Sequence, residues 1–244
     1  MRLLYDNKLK VATITATTAS ANFPLGNLMD NLLALPYKAT DITVDITMIF
    51  DAPVNMNTVA FASHNATKCV ISYYTLAADT SYVFRSTNET LLDTDVIYSA
   101  DYMVEKVIVR FEGSSIISVG SLMIGEYYTM PNPNAYYAEK YVITNQRTDT
   151  QFGGVYGSDG VRLLVLEPSF AVVGHTEYKE ILAITASLIN YNPVYVDMTE
   201  SNHVYKEPFY ATLDMSEIST QRDSRRNVTS DPKHSFSLTI KEAM

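Results

Sequence analysis

The chain has 244 residues, 47% of them hydrophobic and 18% charged, with nine Gly and nine Pro. This balance excludes wholesale disorder and collagen-like or low-complexity architecture, and the length allows one large all-β domain or two smaller ones. Lys plus Arg number 18 against 27 Asp plus Glu, a net charge of −9 that excludes a nucleic-acid-wrapping role, and the single Cys69 excludes an intrachain disulfide or a Cys-based zinc site.

Taken in chain order, Asp6, Lys8 and Lys10 interrupt any apolar run at the N-terminus, so no secretory signal is read there. No stretch approaches the roughly 20 apolar residues of a membrane span. Val11–Thr17 is expected as a strand. Ile42–Phe50 alternates with Ile42, Val44, Ile46 and Met48 on one face and Thr43, Asp45 and Thr47 on the other, and Asp51-Ala52-Pro53 is expected to break it. Thr58–Ser63, Cys69–Leu76, Ser81–Arg85, Val104–Phe111 and Ile116–Glu126 continue a series spaced for an antiparallel sandwich or jelly roll. Met130-Pro131-Asn132-Pro133-Asn134 is strong punctuation and marks a boundary, giving domains 1–130 and 131–244.

The second half opens with a strand over Tyr136–Gln146, then a Gly-rich turn from Gly153 to Gly160 and an apolar strand over Val161–Leu166. Tyr178, Ile181, Leu182, Thr185, Leu188 and Ile189 recur at helical spacing behind Thr176, an expected N-cap, so a helix is placed near 176–190. Strands over Val194–Asp197, Phe209–Asp214 and Ser235–Ile240 close the chain, and polar Ser219–Pro232 reads as an exposed loop. The fold class is therefore mainly β: an antiparallel sandwich or jelly roll, then a second β-rich domain with one short helix.

Chemistry-bearing patterns are sparse. His64, His175, His203 and His234 form no H-x-x-H or H-E-x-x-H pair, and Cys69 lies in an apolar strand, where a buried, inert thiol is expected. G-x-S-x-G, the P-loop and G-x-G-x-x-G are all absent; Gly153-Gly154-Val155-Tyr156-Gly157 has no following Lys and reads as a hairpin turn. Asp93/Asp95 and Asp41/Asp45 read as solvated carboxylates. Arg222, Arg225 and Arg226 form the one basic run, suited to docking an acidic neighbour or to solvation. Eighteen Tyr against no Trp is the compositional signature, and Tyr73-Tyr74, Tyr127-Tyr128, Tyr136-Tyr137 and Tyr141 fall in or beside strands, where tyrosine serves packing, interfaces and sugar stacking alike.

Three stretches resemble the galactose-binding-like (discoidin-type) jelly roll found in tailed-bacteriophage structural proteins: Thr15–Ser20 followed by Pro24–Asp30; Leu35–Thr40, where Tyr37 and Lys38 stand for the family's aromatic and basic residues; and Ile46–Asn65, ending in the pair His64-Asn65. The second half is similar to the C-terminal portion of such proteins through Arg147, the Arg162 strand, the helix from Thr176, Asn192–Asp197 and Phe236–Ala243. The resemblance implies a non-enzymatic virion component of the tail, baseplate or neck, made in the host cytoplasm. Its implied partners are other virion proteins in a homo-oligomeric ring or tail assembly, with no nucleic acid, no metal and no cofactor. The alternative is a glycan-binding module for host attachment. Tyr37, Lys38, His64 and Arg85 would then line a pocket at one end of the sandwich, and Arg222, Arg225 and Arg226 would be partner contacts.

Overall fold

Two long strands organise the first part of the chain, and the runs of β-branched and aromatic residues around them account for the rest. The computed structural model describes residues 1–29, 33, 35–77, 81–91, 96–131, 133, 138–144, 147–149, 155–157, 161–188, 193–198, 208–214 and 234–242. In order these are β1 (Arg2–Leu4), β2 (Ala12–Ala16), β3 (Tyr37–Lys38), β4 (Thr43–His64), β5 (Lys68–Leu76), β6 (Tyr82–Leu91), β7 (Val96–Glu112), β8 (Ser118–Gly125) and β9 (Tyr128–Thr129). Then come β10 (Ala138–Thr144), β11 (Arg147–Asp149), β12 (Val155–Gly157), β13 (Val161–Glu167), β14 (Ser169–Val173), α1 (His175–Ser187), β15 (Val194–Asp197), β16 (Phe209–Asp214), β17 (His234–Ser237) and β18 (Thr239–Glu242). The chain is mainly β, with antiparallel pairing and one α-helix among the described residues.

It divides into two units. The first holds Arg2–Thr129 with Tyr195–Phe209; the second holds Met130–Val194 with Tyr210–Ala243. Against a division into 1–130 and 131–244, the main difference is Tyr195–Phe209, which joins the first unit. Its cause is backbone pairing: β15 lies antiparallel to β1, with Leu4 opposite Tyr195 and Arg2 opposite Asp197. β9 lies on the other side of β1. A three-residue strand at the N-terminus carries too little periodicity to be read from sequence.

In the first unit the strand order is β3-β8-β4-β7-β5-β6, with β2 on β4. Asp51-Ala52-Pro53 does not end the strand as expected. β4 runs for 22 residues, and register shifts between Ile49 and Val54 and between Met56 and Thr58 absorb the proline, which has no N–H to give a ladder. Those shifts let β4 carry β2 along its first half and β8 along its second. Val44, Ile46 and Met48 are buried on the expected face, and Ile42 lies outside the strand and is exposed. The sandwich core gathers Leu28, Tyr37, Phe61, Cys69, Ile71, Tyr73, Val107, Val109, Phe111 and Leu122. Full burial of such a side chain contributes about 1.5–3 kcal/mol. Burial pushes the Cys69 thiol up to about 12, so it stays protonated and unreactive.

In the second unit the order is β10-β13-β18-β16, and β14 pairs with β17. The last strand expected from sequence, Ser235–Ile240, divides at Leu238, whose N–H donates to Pro168 O at 3.0 Å: β17 pairs with β14, and β18 with β13 and β16. α1 begins one residue before the expected Thr176 cap. Gly174 is the N-cap, and its N–H donates to the Glu177 carboxylate at 3.1 Å, which meets an otherwise orphaned end group. Tyr178, Ile181, Ile184 and Leu188 form its buried face, and Phe236 receives Tyr178 and stacks on Phe170 at 4.7 Å.

Candidate functional site

The expected end-pocket residues fall in two places. Tyr37 and His64 lie opposite Val119 from either side of β8, so they share one row of the sheet, and Lys38 lies opposite Ser118. Tyr37, however, is fully buried. Its hydroxyl donates to Thr18 O, and burial raises its pKa against the opposing pull of that bond. Its ring is a core element with no open face for a ligand. The Lys38 ammonium stands 4.2 Å from the centroid of Phe23, and the His64 ring meets Phe61 edge-on at 5.0 Å.

Neighbouring groups at this end are committed to backbone. The Asn65 amide donates to Ile116 O at 2.7 Å and to Ser115 Oγ at 3.0 Å, and its oxygen accepts from Ser118 N–H at 2.8 Å. Ser63, with φ 52°, is held in the left-handed region against Gly120, where a Cβ would stand 2.9 Å from Ser63 Cβ. The end of the sandwich is thus a stapled loop junction.

Arg85 is elsewhere. Thr67 N–H donates to Glu112 O beside the His64 end, whereas Arg85 adjoins Tyr74 and Thr75, which lie at the Lys106 end of the β5–β7 pairing. Six residues of β7 separate the two places, about 20 Å of extended chain. Arg85 is the extra residue of a bulge between the pairs Tyr73–Ser86 and Tyr74–Phe84, and its Nε donates to Thr75 Oγ1 at 2.6 Å. Arg222, Arg225 and Arg226 lie outside the described residues, as do Gly153-Gly154 and Asp93/Asp95.

Around Arg85 the structure assembles what sequence reasoning missed. Alternation on β5 turns Cys69, Ile71 and Tyr73 into the core and leaves Tyr74 and Leu76 on the outer face. Phe84 lies opposite Tyr74 and Tyr82 opposite Leu76, so their rings share that face, and Lys106 lies opposite Tyr74 from the β7 side. Tyr74 and Phe84 meet edge-to-face at 5.7 Å. The Lys106 ammonium is 5.1 Å from the Tyr74 centroid and 4.9 Å from that of Tyr82. Phe84 is 53% exposed, and Leu76, Tyr82 and Val83 are also open to solvent. The Tyr73-Tyr74 doublet was the available signal, but only the register tells which of the two faces outward.

A second aromatic cluster in the same unit is closed. The Arg2 guanidinium lies 4.6 Å from the Tyr98 centroid and 4.9 Å from that of Tyr127, and the two rings meet at 5.5 Å. The Tyr98 hydroxyl donates to the buried Asp197 carboxylate, which stands 3.9 Å from Arg2. Burial, and after it Asp197, hold the Tyr98 phenol far above its ordinary pKa. Asn57 positions the wall by accepting Tyr127 N–H at 3.1 Å. Arg2, Tyr98, Tyr127 and Asp197, with Leu4, Thr58, Val96 and Tyr195, line a cavity of about 10 Å³, room for one water. This cluster fastens β15 to the sandwich. Among the described residues, no three His, Cys, Asp or Glu side chains gather to hold a metal, and no helix is long and apolar enough to cross a membrane.

No family model and no curated protein matches the chain. Among solved structures it is similar to chitosan-binding module 1 of a chitosanase/glucanase from Paenibacillus sp. IK-5, at 14% identity and TM-score 0.41 over 49% of this chain and 98% of that one. It is similar to the family 32 CBM of C. perfringens NanJ in complex with galactose, at 11% identity and TM-score 0.40 over 52% of this chain and 100% of that one. A third likeness is to a putative alpha-L-fucosidase from Bacteroides thetaiotaomicron, at 13% identity and TM-score 0.42, which spans 49% of this chain and 28% of the fucosidase. At these identities the likeness is one of fold.

Proposed function

We propose that the protein is a non-enzymatic binding protein whose first unit takes carbohydrate on the outer face formed by Tyr74, Tyr82 and Phe84. The observation that carries this reading is the exposure of the Phe84 and Tyr82 rings beside a fixed polar group, Lys106. A sugar ring presents C–H groups on one face and hydroxyls at its rim, which matches an aromatic surface bordered by hydrogen-bond donors. Binding to a glycan array, lost by at least about tenfold in Phe84→Ala while the melting transition stays cooperative, is the expected result. Silence of the folded protein across the array overturns the reading.

A second reading makes the protein a tailed-phage virion subunit that contacts its neighbours through the second unit. β10 favours it. Among the described residues β10 has one strand neighbour, β13, and adjacent Tyr141 and Val142, on opposite faces, are 46% and 47% exposed. An edge strand open on both apolar faces is a pairing hazard unless an assembly covers it. Co-purification with phage particles, abolished by Tyr141→Lys, is expected on this reading; a monomer absent from particles refutes it.

A further inference from the structure

The outer face of the first unit carries three lysine and arginine side chains in a defined order along β5 and β7, and two of them are neutralised. The Lys68 ammonium is 2.6 Å from Glu89 and 3.7 Å from Glu112. Arg110 holds Asp45 through two bonds of 2.6 and 2.8 Å. Among the described residues, Lys106 has no carboxylate within 4.0 Å and meets only the rings of Tyr74 and Tyr82. Its sequence neighbour Glu105 is engaged with backbone and accepts the Leu76 N–H at 2.9 Å. Arg85, on the adjoining hairpin strand, donates to Thr75 and likewise lacks a carboxylate partner among the described residues. In a chain with 27 acidic residues and 18 basic ones, two cations without an acid partner among the described residues stand beside the exposed rings of Phe84 and Tyr82.

We infer that the ligand of this face carries a carboxylate: the sheet binds an acidic sugar, its ring lying on Phe84 and Tyr82 and its carboxylate meeting the Lys106 ammonium. The inference rests on the carbohydrate reading above and specifies its substrate class. The register supplies the geometry, because Phe84, Tyr74 and Lys106 occupy one row across three strands, β6, β5 and β7. The two tyrosine rings hold the ammonium at the level of the aromatic surface, where a stacked sugar's acid group arrives without either partner being moved. A neutral sugar would use the rings and leave the charge idle. An exposed ion pair of this kind weakens as salt rises.

The test is calorimetric titration of the full chain with two matched pairs of ligands: lactose against 3′-sialyllactose, and cello-oligosaccharides against their C6-oxidised acids. In at least one pair the acidic member binds about tenfold more tightly at low salt, and the ratio shrinks at high salt. Lys106→Met brings the ratio to about one, while Lys10→Met, on a surface turn outside the face, leaves it intact. Equal affinity for both members, or a preference that survives Lys106→Met, overturns the charge inference and leaves carbohydrate binding standing. No binding to any of the four by protein with an unchanged melting transition overturns the charge inference, and silence across the glycan array overturns the carbohydrate reading with it.

Discussion

Twice among the described residues of the first unit a cation lies on two tyrosine rings, and the two clusters are built to different ends. Arg2 lies on Tyr98 and Tyr127 at 4.6 and 4.9 Å, and Asp197 closes the group from β15. Lys106 lies on Tyr74 and Tyr82 at 5.1 and 4.9 Å, with no carboxylate to close it among the described residues. The ring contacts are alike; the acid and the burial differ. Where a buried carboxylate completes the set, the cation's field is spent inside the protein and the cluster becomes a fastening. Where the set faces solvent without an acid, the field is left for whatever arrives. The comparison shows that a cation–aromatic motif has no fixed role, and that its electrostatic closure assigns one.

The largest effect expected from breaking this contrast falls on the closed cluster. Asp197→Ala leaves the Tyr98 hydroxyl and the Arg2 charge without their buried acceptor, and should lower the unfolding free energy by about 3 kcal/mol in urea titration. A loss below about 1 kcal/mol would put the closed cluster on the same footing as the open one.

Alkaline titration probes the same distinction within the Tyr73-Tyr74 doublet. Burial pushes the core-facing Tyr73 phenol up to about 12 from its ordinary 10. A group whose folded value is raised stabilises fully below its unfolded value, and that contribution is lost as pH rises from about 10 to 12. Tyr73 should therefore cost the fold about 3 kcal/mol across that window. Tyr73→Phe, less stable at neutral pH by the lost bond to Ser99, should show a flatter alkaline decline.

How far sequence reasoning reached can be read from the same residues. Period-2 alternation put Val44, Ile46 and Met48 on a buried face because hydrophobic burial and pleating are both local in the chain. Pro53 reads as a terminus in sequence because a missing N–H looks the same in a turn and in a bulge; only the partner strand decides. β1 was invisible because three residues carry no period. At the site, Lys38 and His64 share the end of β8, whereas Tyr37 is turned inward and Arg85 lies at the far end of β7, because spacing along the chain does not encode which strands lie side by side. The patch of Tyr74, Tyr82, Phe84 and Lys106 was illegible for the same reason: its members come from three strands, and a bulge at Arg85 sets their phase.

A smaller effect separates neutralised from unneutralised cations on the outer face. The hydrogen bonds from Arg110 hold the Asp45 carboxyl below its usual range. A depressed folded value gives stability that is present above the unfolded value near 4 and is lost as pH falls through the folded one. Both partners are partly exposed, so the pair contributes under about 1 kcal/mol. Asp45→Asn should lower stability at neutral pH by that amount, leave the acid end nearly unchanged, and so flatten the acid limb.

The smallest stability effect is the most informative. Lys106→Met removes a charge that no described carboxylate neutralises and keeps a chain long enough to cover Tyr74 and Tyr82. It should alter unfolding free energy by no more than about 0.5 kcal/mol. If the face exists for recognition, the same substitution changes ligand preference while leaving the melting curve in place. If it costs more than about 1.5 kcal/mol, Lys106 is a fastening like Arg2, and the contrast between the two clusters fails at its open end.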